Sequence, residues 1–272
     1  MIPPTSIDGT DITGATIDGT DVQEITVDGD VVFSAEQLPV AYSNLTAWYP
    51  FDAAEYGGAN ADDVTAIIGG SGDDTAYDGT VNGATYQSSG GITDINAGAN
   101  SGGFDFSGSN NQRIQLPNAA FDSTSTFSMT FWLNADDNSA SRLFNANDDD
   151  DGFRVFYEDG KINNLTQFED SGNRDDFNDS PIFGQNTWAM FGVTFDDSIN
   201  EANAYIGFDA NNGVTNYDTI TTNGSRTDPI IPTIGASGFK GEEFNGQMDD
   251  LRIYNTALSA SQIQDIYDNT EP

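Results

Sequence analysis

Two side chains that carry much of protein chemistry are missing from this chain: its 272 residues include no cysteine and no histidine. Without cysteine the chain has no disulfide bond, no thiol nucleophile and no zinc–thiolate site. Without histidine it has no Ser-His-Asp triad, no imidazole metal ligand and no side chain that ordinarily titrates near neutral pH. These absences exclude several common classes of enzyme and metalloprotein.

Positive charge is scarce as well. Eight Lys and Arg residues stand against 44 Asp and Glu residues, which gives a formal net charge of −36. Nucleic acids and anionic membrane surfaces are polyanions, so we expect neither as a partner. Over the roughly 11,000 Å² that a folded chain of this mass exposes, the net charges lie about 18 Å apart. They repel one another at 0.01 M salt, where the screening length is about 30 Å, and much less at 1 M salt, where it is about 3 Å. The composition therefore predicts a halophilic protein that loses compactness or assembly in dilute buffer.

Long apolar runs are absent too. No segment approaches the roughly 20 apolar residues that span a bilayer. Residues 1–16 contain no Lys or Arg and no apolar run of signal-peptide length. We therefore expect a soluble protein with no signal peptide, released from the cell by a route such as lysis.

What the chain does contain begins with a ten-residue repeat. Residues 7–12 recur as residues 17–22 and 27–32, each with an Asp-Gly pair between β-branched residues, a pattern that favours a tight hairpin. Three such hairpins bury little by themselves and need neighbours to cover their faces. We interpret residues 1–35 as an anchoring or oligomerisation arm; a disordered tail is the alternative. The apolar positions of this arm are Ile7, Ile12, Ile17, Val22, Val27 and Val32.

After a linker at residues 36–43, short alternating strands fill residues 44–272. The strands that the pattern predicts are Leu45–Phe51, Gly103–Phe106, Arg113–Leu116, Phe127–Leu133, Gly152–Tyr157, Trp188–Phe195, Ala202–Phe208 and Gln247–Tyr254. One short helix closes the chain, because Ser259 and Gln262 fit a capping box and Ile263, Ile266 and Tyr267 form one apolar stripe. The predicted fold is all-β: a two-sheet antiparallel jelly-roll sandwich with an N-terminal β-hairpin repeat arm and a short C-terminal helix.

Several segments, taken in order, resemble the laminin-G-like, concanavalin A-like lectin and glucanase jelly rolls. The most specific is Phe244–Ser259 (FNGQMDDLRIYNTALS), which is similar to the terminal signature of that family. Weaker matches occur at residues 45–52, 78–86, 104–108, 127–132 and 186–206. The resemblance covers residues 44–269 and implies two antiparallel sheets of about six or seven strands each. It says little about chemistry, because this fold hosts binders, enzymes and structural modules.

The resemblance also implies expectations about sites. Glucanase relatives carry the acids Glu-x-Asp-x-x-Glu along one strand, and no such segment occurs here, so we expect no enzyme activity. Asp249 and Asp250 belong to the signature, where such acids are usually structural. Jelly rolls of this family often hold one structural Ca²⁺, and the matching oxygens here belong to Asp52, Asp78 and Asp249; Na⁺ or K⁺ could replace Ca²⁺ in brine.

Glycan binding requires exposed aromatic rings with amides and acids beside them. Trp48, Trp132 and Trp188 fall in family core strands, and we expect them to pack in the core. The loop aromatics that we expect to be available instead are Phe168, Phe177, Tyr217 and Phe239.

The hairpin repeats are also similar to segments of structural proteins of tailed viruses of halophilic archaea. Together with the acidic surface, this predicts an exposed virion component, such as a capsid turret, decoration or tail-fibre protein, assembled in the host cytoplasm. Its arm would bind other virion proteins and form a homo-oligomer, a trimer or a pentamer, and its jelly roll could contact host-surface glycans. The alternative is a carbohydrate-binding module of a halophilic extracellular or surface protein.

Overall fold

The computed structural model describes the chain in segments. These are residues 6–7, 10–11, 16–17, 20–21, 24–27, 30–34, 44–51, 60–61, 77–92, 102–109, 112–121, 126–148, 151–164, 166–170, 173–208, 213–222, 232–236 and 242–270.

The N-terminal repeat forms three separate antiparallel strand pairs. They are β1 (Ser6–Ile7) with β2 (Thr10–Asp11), β3 (Thr16–Ile17) with β4 (Thr20–Asp21), and β5 (Glu24–Val27) with β6 (Asp30–Ser34). In each pair the residue before Asp-Gly pairs with the residue after it, as Ile7 does with Thr10. This register leaves a two-residue connection and confirms the three predicted hairpins.

Seventeen further strands, one α-helix and a short 3-10 helix at Asn118–Phe121 follow within the described residues. They are β7 (Leu45–Tyr49), β8 (Asn60–Ala61), β9 (Gly79–Asn82), β10 (Thr85–Gln87), β11 (Gly103–Ser107), β12 (Arg113–Gln115), β13 (Thr126–Ala135), β14 (Ser141–Asp148), β15 (Asp151–Glu158), β16 (Lys161–Ile162), β17 (Gln167–Asp170), β18 (Asn173–Asp176), β19 (Trp188–Asp196), β20 (Glu201–Phe208), β21 (Val214–Thr221), β22 (Pro232–Ile234), β23 (Asn245–Tyr254) and α1 (Ala260–Asn269). All eight strands predicted from alternation are present, and so is the helix.

The strands form two antiparallel sheets. The eight-stranded sheet has the order β10-β11-β23-β13-β19-β20-β21, and β7 pairs with the far end of β23. The nine-stranded sheet has the order β18-β17-β15-β14-β22-β12-β9-β8, and β16 pairs with β15 beside β17. In the eight-stranded sheet β7 and β11 pair with the same edge of β23, so that sheet is seven strands wide. In the nine-stranded sheet β16 and β17 pair with the same edge of β15, so that sheet is eight strands wide. This is slightly wider than the six or seven strands expected, since very short edge strands such as β8 carry no alternation that a sequence can display.

Aromatic rings from both sheets fill the space between them. Phe127 and Phe195 belong to the eight-stranded sheet, and Phe153 and Phe168 belong to the nine-stranded sheet. The ring centroid of Phe168 lies 5.0 Å from that of Phe195 and 4.7 Å from that of Phe153. All four side chains are buried, as period-two alternation requires of the inward residues of a sandwich. The predicted jelly-roll sandwich is confirmed.

Helix α1 covers the outer face of the eight-stranded sheet. Its N-cap Ser259 accepts a hydrogen bond from the backbone N–H of Gln262, and the Gln262 side chain accepts one from the N–H of Ser259, so the capping box is present. The ring of Tyr267 stacks 5.3 Å from Trp132, and a Cβ on Gly207 would lie 2.6 Å from the Tyr267 ring. The close approach of helix and sheet therefore requires glycine at position 207.

The three tryptophans pack as expected. Trp48 and Trp132 are buried, and the partly buried Trp188 packs against the same cluster. Trp132 donates a hydrogen bond from Nε1 to Thr270 Oγ1 at 2.9 Å, just past the end of α1.

Among the described residues, no helix is long and apolar enough to cross a membrane.

Candidate functional site

The outer face of the nine-stranded sheet carries an unbroken row of polar residues. Strand pairing places one residue from each of seven neighbouring strands in line. The row consists of Thr80, Gln115, Thr233, Asn145, Arg154, Gln167 and Asp176, in order across the sheet. Six spacings of about 4.8 Å place its ends about 29 Å apart.

The row faces outward because its neighbours along each strand face the core. Ile114, Phe144, Phe153 and Ile234 precede or follow row residues, and all four are fully buried in the central cluster. Since successive side chains of a strand point to opposite faces, Gln115, Thr233, Asn145 and Arg154 point away from that cluster. At one end of the row Thr80 and Gln115 are exposed, and they can donate and accept hydrogen bonds from there.

Near the centre of this face, Arg142 makes several contacts with neighbouring side chains. Arg142 donates through Nε to Glu242 and through Nη1 to Asn145 Oδ1 at 2.9 Å, and its guanidinium lies 4.8 Å from the centroid of the Phe156 ring. Arg142 and Asn145 are nearly inaccessible, whereas Glu242 is exposed. The Thr233 hydroxyl donates to the carbonyl of Ala236 at 2.8 Å. The centre of the face is therefore rigid and polar.

Arg154 lies beside this centre and is partly buried. Burial lowers the pKa of its guanidinium to about 10, and repulsion from Arg142 and then Arg174 contributes to the same lowering. Attraction to Asp176 and Glu242 opposes the shift but is smaller. The group stays protonated at neutral pH.

The acids of the family signature are structural, as expected. Asp250 accepts hydrogen bonds at Oδ1 from Trp48 Nε1 at 2.6 Å and from Arg252 Nε at 2.9 Å, and the Arg252 guanidinium lies 4.6 Å from the centroid of the Trp48 ring. Asp250 and Leu251 together oppose Phe131 in a β-bulge, and Asp250 has a φ of 47°, a conformation that Asp tolerates better than most residues.

Asp249 fixes the backbone around this bulge. Its Oδ2 accepts the N–H of Ile92 at 2.8 Å, and its Oδ1 accepts the N–H of Asp250 at 2.8 Å. Of the other two residues expected to bind Ca²⁺, Asp78 is partly buried and Asp52 lies outside the described residues. The described residues contain no group of three acids placed to hold a metal ion. Since Asp52 belongs to the expected ligand set, the calcium site stays a prediction.

The predicted glycan-binding aromatics occupy different positions from those expected. Phe168 and Phe177 were expected in an exposed loop, and this is wrong: both are buried, with ring centroids 5.9 Å apart, because Phe168 is the inward residue of β17. Tyr217 is the extra residue of a bulge in the edge strand β21 and packs against the central cluster. Burial raises the pKa of the Tyr217 phenol well above its usual range. Phe239 lies outside the described residues.

The apolar residues of the arm are described in part. Ile7, Ile17, Val27 and Val32 lie in strands β1, β3, β5 and β6. Ile12 and Val22 lie outside the described residues. Their docking role stays a prediction.

The polar row was missed at the sequence level, although one signal for it was present. Arg154 lies between Phe153 and Val155 in a predicted alternating strand, so its outward position could have been inferred. Its alignment with Thr80 and Gln115 could not, because that depends on pairing between distant segments.

Comparisons with known proteins agree with this fold. Residues 107–264, more than half of the chain, match the family model Laminin_G_3, described as the concanavalin A-like lectin/glucanases superfamily. No curated protein sequence matches the chain.

Several solved structures share the fold at low sequence identity. The binding domain of Paraclostridial Mosquitocidal Protein 1 has a TM-score of 0.54 and 17% identity, over 84% of this chain and 52% of its own. The Botulinum Neurotoxin Type G receptor-binding domain has a TM-score of 0.56 and 16% identity, over 83% and 51%. A Trypanosoma rangeli sialidase mutant displaying trans-sialidase activity has a TM-score of 0.57 and 14% identity, over 85% and 34%. The chain thus spans about half or less of these proteins.

Proposed function

This chain belongs to the concanavalin A-like lectin/glucanases superfamily, and we propose that its jelly roll is a glycan-binding module without enzyme activity. The observation that carries the proposal is the polar row across the nine-stranded sheet. Its exposed members are Thr80 and Gln115 at one end and Asp176 at the other, whereas Thr233 and Asn145 at the centre are buried. Exposed hydroxyl, amide and carboxylate groups suit a ligand with many hydroxyl groups. Two of the similar structures are binding domains by name, which supports a binding role.

The composition of the face favours binding over hydrolysis. Glycoside hydrolases use two carboxylates that flank the bond to be cleaved. Asp176, at one end of the row, is its one acidic residue, and it lies 3.4 Å from the guanidinium of Arg174. Glu242, the other described acid at the centre of this face, forms an ion pair with Arg142. Both acids are thus paired with arginines, an arrangement that suits holding hydroxyl groups better than protonating a leaving group and activating water.

A glycan array probed with the full chain, at 0.2 M and at 3 M KCl, tests the module. We expect binding to at least one glycan class. The double variant Thr80→Ala, Gln115→Ala should weaken it about tenfold or more, because each exposed side chain supplies hydrogen bonds worth about 0.5–1.5 kcal/mol. The matched control is Thr215→Ala, Thr221→Ala, at exposed positions of β21 in the other sheet, which should bind like wild type. Absence of glycan binding at both salt concentrations would refute the proposal.

We further propose that the arm makes this module a structural component of a haloarchaeal virus particle, as a capsid turret, decoration or tail-fibre protein. The supporting observation is the series of three paired hairpins at a ten-residue period, joined to a chain of net charge −36. Isolated two-stranded hairpins are marginal in water, so other copies of the arm or other virion proteins would stabilise them. The alternative is a carbohydrate-binding module of a halophilic extracellular protein.

Light scattering in 3 M KCl separates these roles. The full chain should be a trimer or a pentamer, and a chain lacking residues 1–35 should be a folded monomer that binds glycans as before. A full-length chain that is monomeric in brine would contradict the anchoring role and favour the free-standing module.

A further inference from the structure

The outer face of the eight-stranded sheet carries a line of side chains next to the apolar cluster that helix α1 covers. Strand pairing places one residue from each of five neighbouring strands opposite the next. This line, which we call the Trp188 row, consists of Thr85, Asp105, Gln247, Asn134 and Trp188, in order across the sheet. Four spacings of about 4.8 Å make the row about 19 Å long, which is room for an oligosaccharide.

The Trp188 row faces away from the space between the two sheets. The residues that flank it along the strands are buried in the central cluster, and they are Phe104, Leu133, Ala135, Ala189 and Met248. Since successive side chains of a strand point to opposite faces, the row residues point outward. Thr85 is exposed and the other four are partly buried, so the row is accessible from solvent.

The fold does not use the polar groups of this row. Within the described residues, the side chains of Asp105, Gln247 and Asn134 take part in no hydrogen bond and no ion pair. On the opposite sheet, by contrast, Asn145 accepts a hydrogen bond from Arg142. The Trp188 row therefore keeps donors and acceptors that a ligand can pair with.

Asn134 shows most clearly that this row is not built for stability. Its Oδ1 is buried and has no hydrogen-bond partner among the described residues. Buried polar atoms are nearly always paired in folded proteins, because an unpaired one costs free energy. A β-branched side chain would suit a strand better than this amide does. Rotation of the amide about its terminal bond would present the oxygen to a ligand hydroxyl group.

The aromatic end of the row differs from the other two tryptophans. Trp48 and Trp132 are buried, and their indole N–H groups donate to Asp250 and Thr270. Trp188 is partly exposed, and its indole N–H has no hydrogen-bond partner in the part of the chain that the structure describes. Because Trp188 packs against the cluster around Trp132, its ring is held in place. It thus offers a fixed apolar surface together with a free donor.

We infer that the Trp188 row is a second saccharide site and that it binds a neutral sugar chain. The C–H face of a pyranose ring would pack on Trp188, and its hydroxyl groups would pair with the amides of Asn134 and Gln247 and with the carboxylate of Asp105. The inference goes beyond the proposed function, which places a glycan on the opposite sheet, and it does not depend on that site.

The charge of the row selects a neutral ligand. Asp105 is its one charged residue; partial burial, and then repulsion by the exposed Asp136, raise the pKa of this carboxyl group. Two neighbouring carboxylates repel an acidic sugar, whereas one carboxylate accepts hydrogen bonds from the hydroxyl groups of a neutral sugar. A metal ion suits the row less well, because the described residues contain no group of three acids placed to hold one.

Isothermal titration calorimetry on the full chain in 3 M KCl tests the inference with four hexasaccharides. Chitohexaose, maltohexaose and mannohexaose are neutral, and a hyaluronan hexasaccharide is acidic. We expect at least one neutral probe to bind, and the acidic probe to bind at least about tenfold more weakly. The same contacts should persist in brine, because stacking and short hydrogen bonds do not depend on long-range electrostatics.

Variants of the row assign the site. Trp188→Ala should reduce the affinity for the neutral probe at least about tenfold, and Gln247→Ala at least about threefold. Trp188→Phe, which keeps an aromatic ring, should lose less than Trp188→Ala. The control is Ile199→Ala, which removes another exposed apolar side chain in the turn at the opposite end of β19 and should bind like wild type. Circular dichroism in the same buffer checks that each variant is folded.

The outcomes separate this inference from the proposed function. If a neutral probe binds and folded Trp188→Ala and Gln247→Ala keep full affinity, the inference fails while the glycan-binding module stands. If Trp188→Ala abolishes binding and the variant Thr80→Ala, Gln115→Ala retains it, the inference stands and the row on the nine-stranded sheet fails. Equal affinity for the acidic probe would overturn the preference for neutral sugars. If no probe and no array glycan binds, both proposals fail.

Discussion

Replacing Asp250 by Asn should destabilise the fold by about 3–5 kcal/mol. Asp250 and Arg252 are 2% and 1% exposed, and their ion pair lies beneath the Trp48 ring. Asn keeps an oxygen acceptor for Trp48 and tolerates the positive φ at this position, so the variant mainly removes the negative charge. A buried arginine then remains without its counter-ion, and breaking a buried pair in this way typically costs about 3–5 kcal/mol. Because a domain is stable by about 5–15 kcal/mol, the loss is a large part of the total.

The complementary variants make this prediction specific. Arg252→Met should cost a similar amount, because it leaves the buried Asp250 carboxylate uncompensated. The double variant Asp250→Asn, Arg252→Met carries neither charge, so it should be less destabilised than either single variant. The exposed pair Arg174–Asp176 provides the control, and Arg174→Met should cost below about 1 kcal/mol.

Urea unfolding at constant 3 M KCl, followed by circular dichroism, measures all four variants against wild type. The free energies of the two single variants must fail to add, because the residues are in contact. The reasoning that burial sets the strength of this ion pair would be refuted by either of two results. One is that the losses in free energy of unfolding of the two single variants add up to the loss of the double variant. The other is that Asp250→Asn is as stable as wild type.

Burial raises the pKa of Tyr157 to about 12. The contribution of the neutral phenol to the free energy of unfolding should therefore be complete below pH 10 and be lost as the pH rises toward 12. Tyr157→Phe should make the urea midpoint fall less between pH 9 and pH 11.5. Ser259→Ala should cost about 1 kcal/mol in urea unfolding through loss of the N-cap of α1, whereas Asp265→Ala at an exposed position inside the helix should not. If Ca²⁺ binds at Asp52, Asp78 and Asp249, a chelator should lower the calorimetric melting temperature at high NaCl, and identical curves would contradict the site. The melting temperature should be higher in 3 M than in 20 mM salt, because salt screens the repulsion among 44 acids, and equal values would argue against halophilic adaptation.

The strands that could be predicted from the sequence are those with a buried face. In β13 the residues Phe127, Met129, Phe131 and Leu133 alternate toward the core, and period-two alternation identifies such a strand without any partner. The helix could be placed because its capping box is local in sequence. The structural role of Asp249 and Asp250 was implied by the family resemblance, whereas their hydrogen bonds to the distant Trp48 and Ile92 could be seen only in the structure.

The edge strands β17 and β18 could not be predicted from the sequence. For this reason Phe168 was wrongly expected to lie in an exposed loop. Strand β17 has the sequence Gln-Phe-Glu-Asp and strand β18 has Asn-Arg-Asp-Asp, so Phe168 is the single apolar residue in eight positions. One apolar residue defines no period, and the segment resembles an acidic loop. The strand pairing between Arg154 and Gln167 turns Phe168 inward, and that pairing is a tertiary fact.

The same limit applies to the candidate site, for a physical reason. The polar row lies on the face of the sheet that points away from the core, so its residues form no hydrophobic pattern in the sequence. Their alignment also depends on pairing between strands that are far apart in the chain, such as β9 and β22, which both pair with β12. The sequence does show that basic residues are scarce, with eight Lys and Arg residues against 44 Asp and Glu residues. It does not show where in the fold those eight residues lie. Composition alone implies a surface that repels anions everywhere. The strand pairing of the nine-stranded sheet instead places Arg113, Arg142, Arg154 and Arg174 in one sheet, a placement that composition alone cannot reveal.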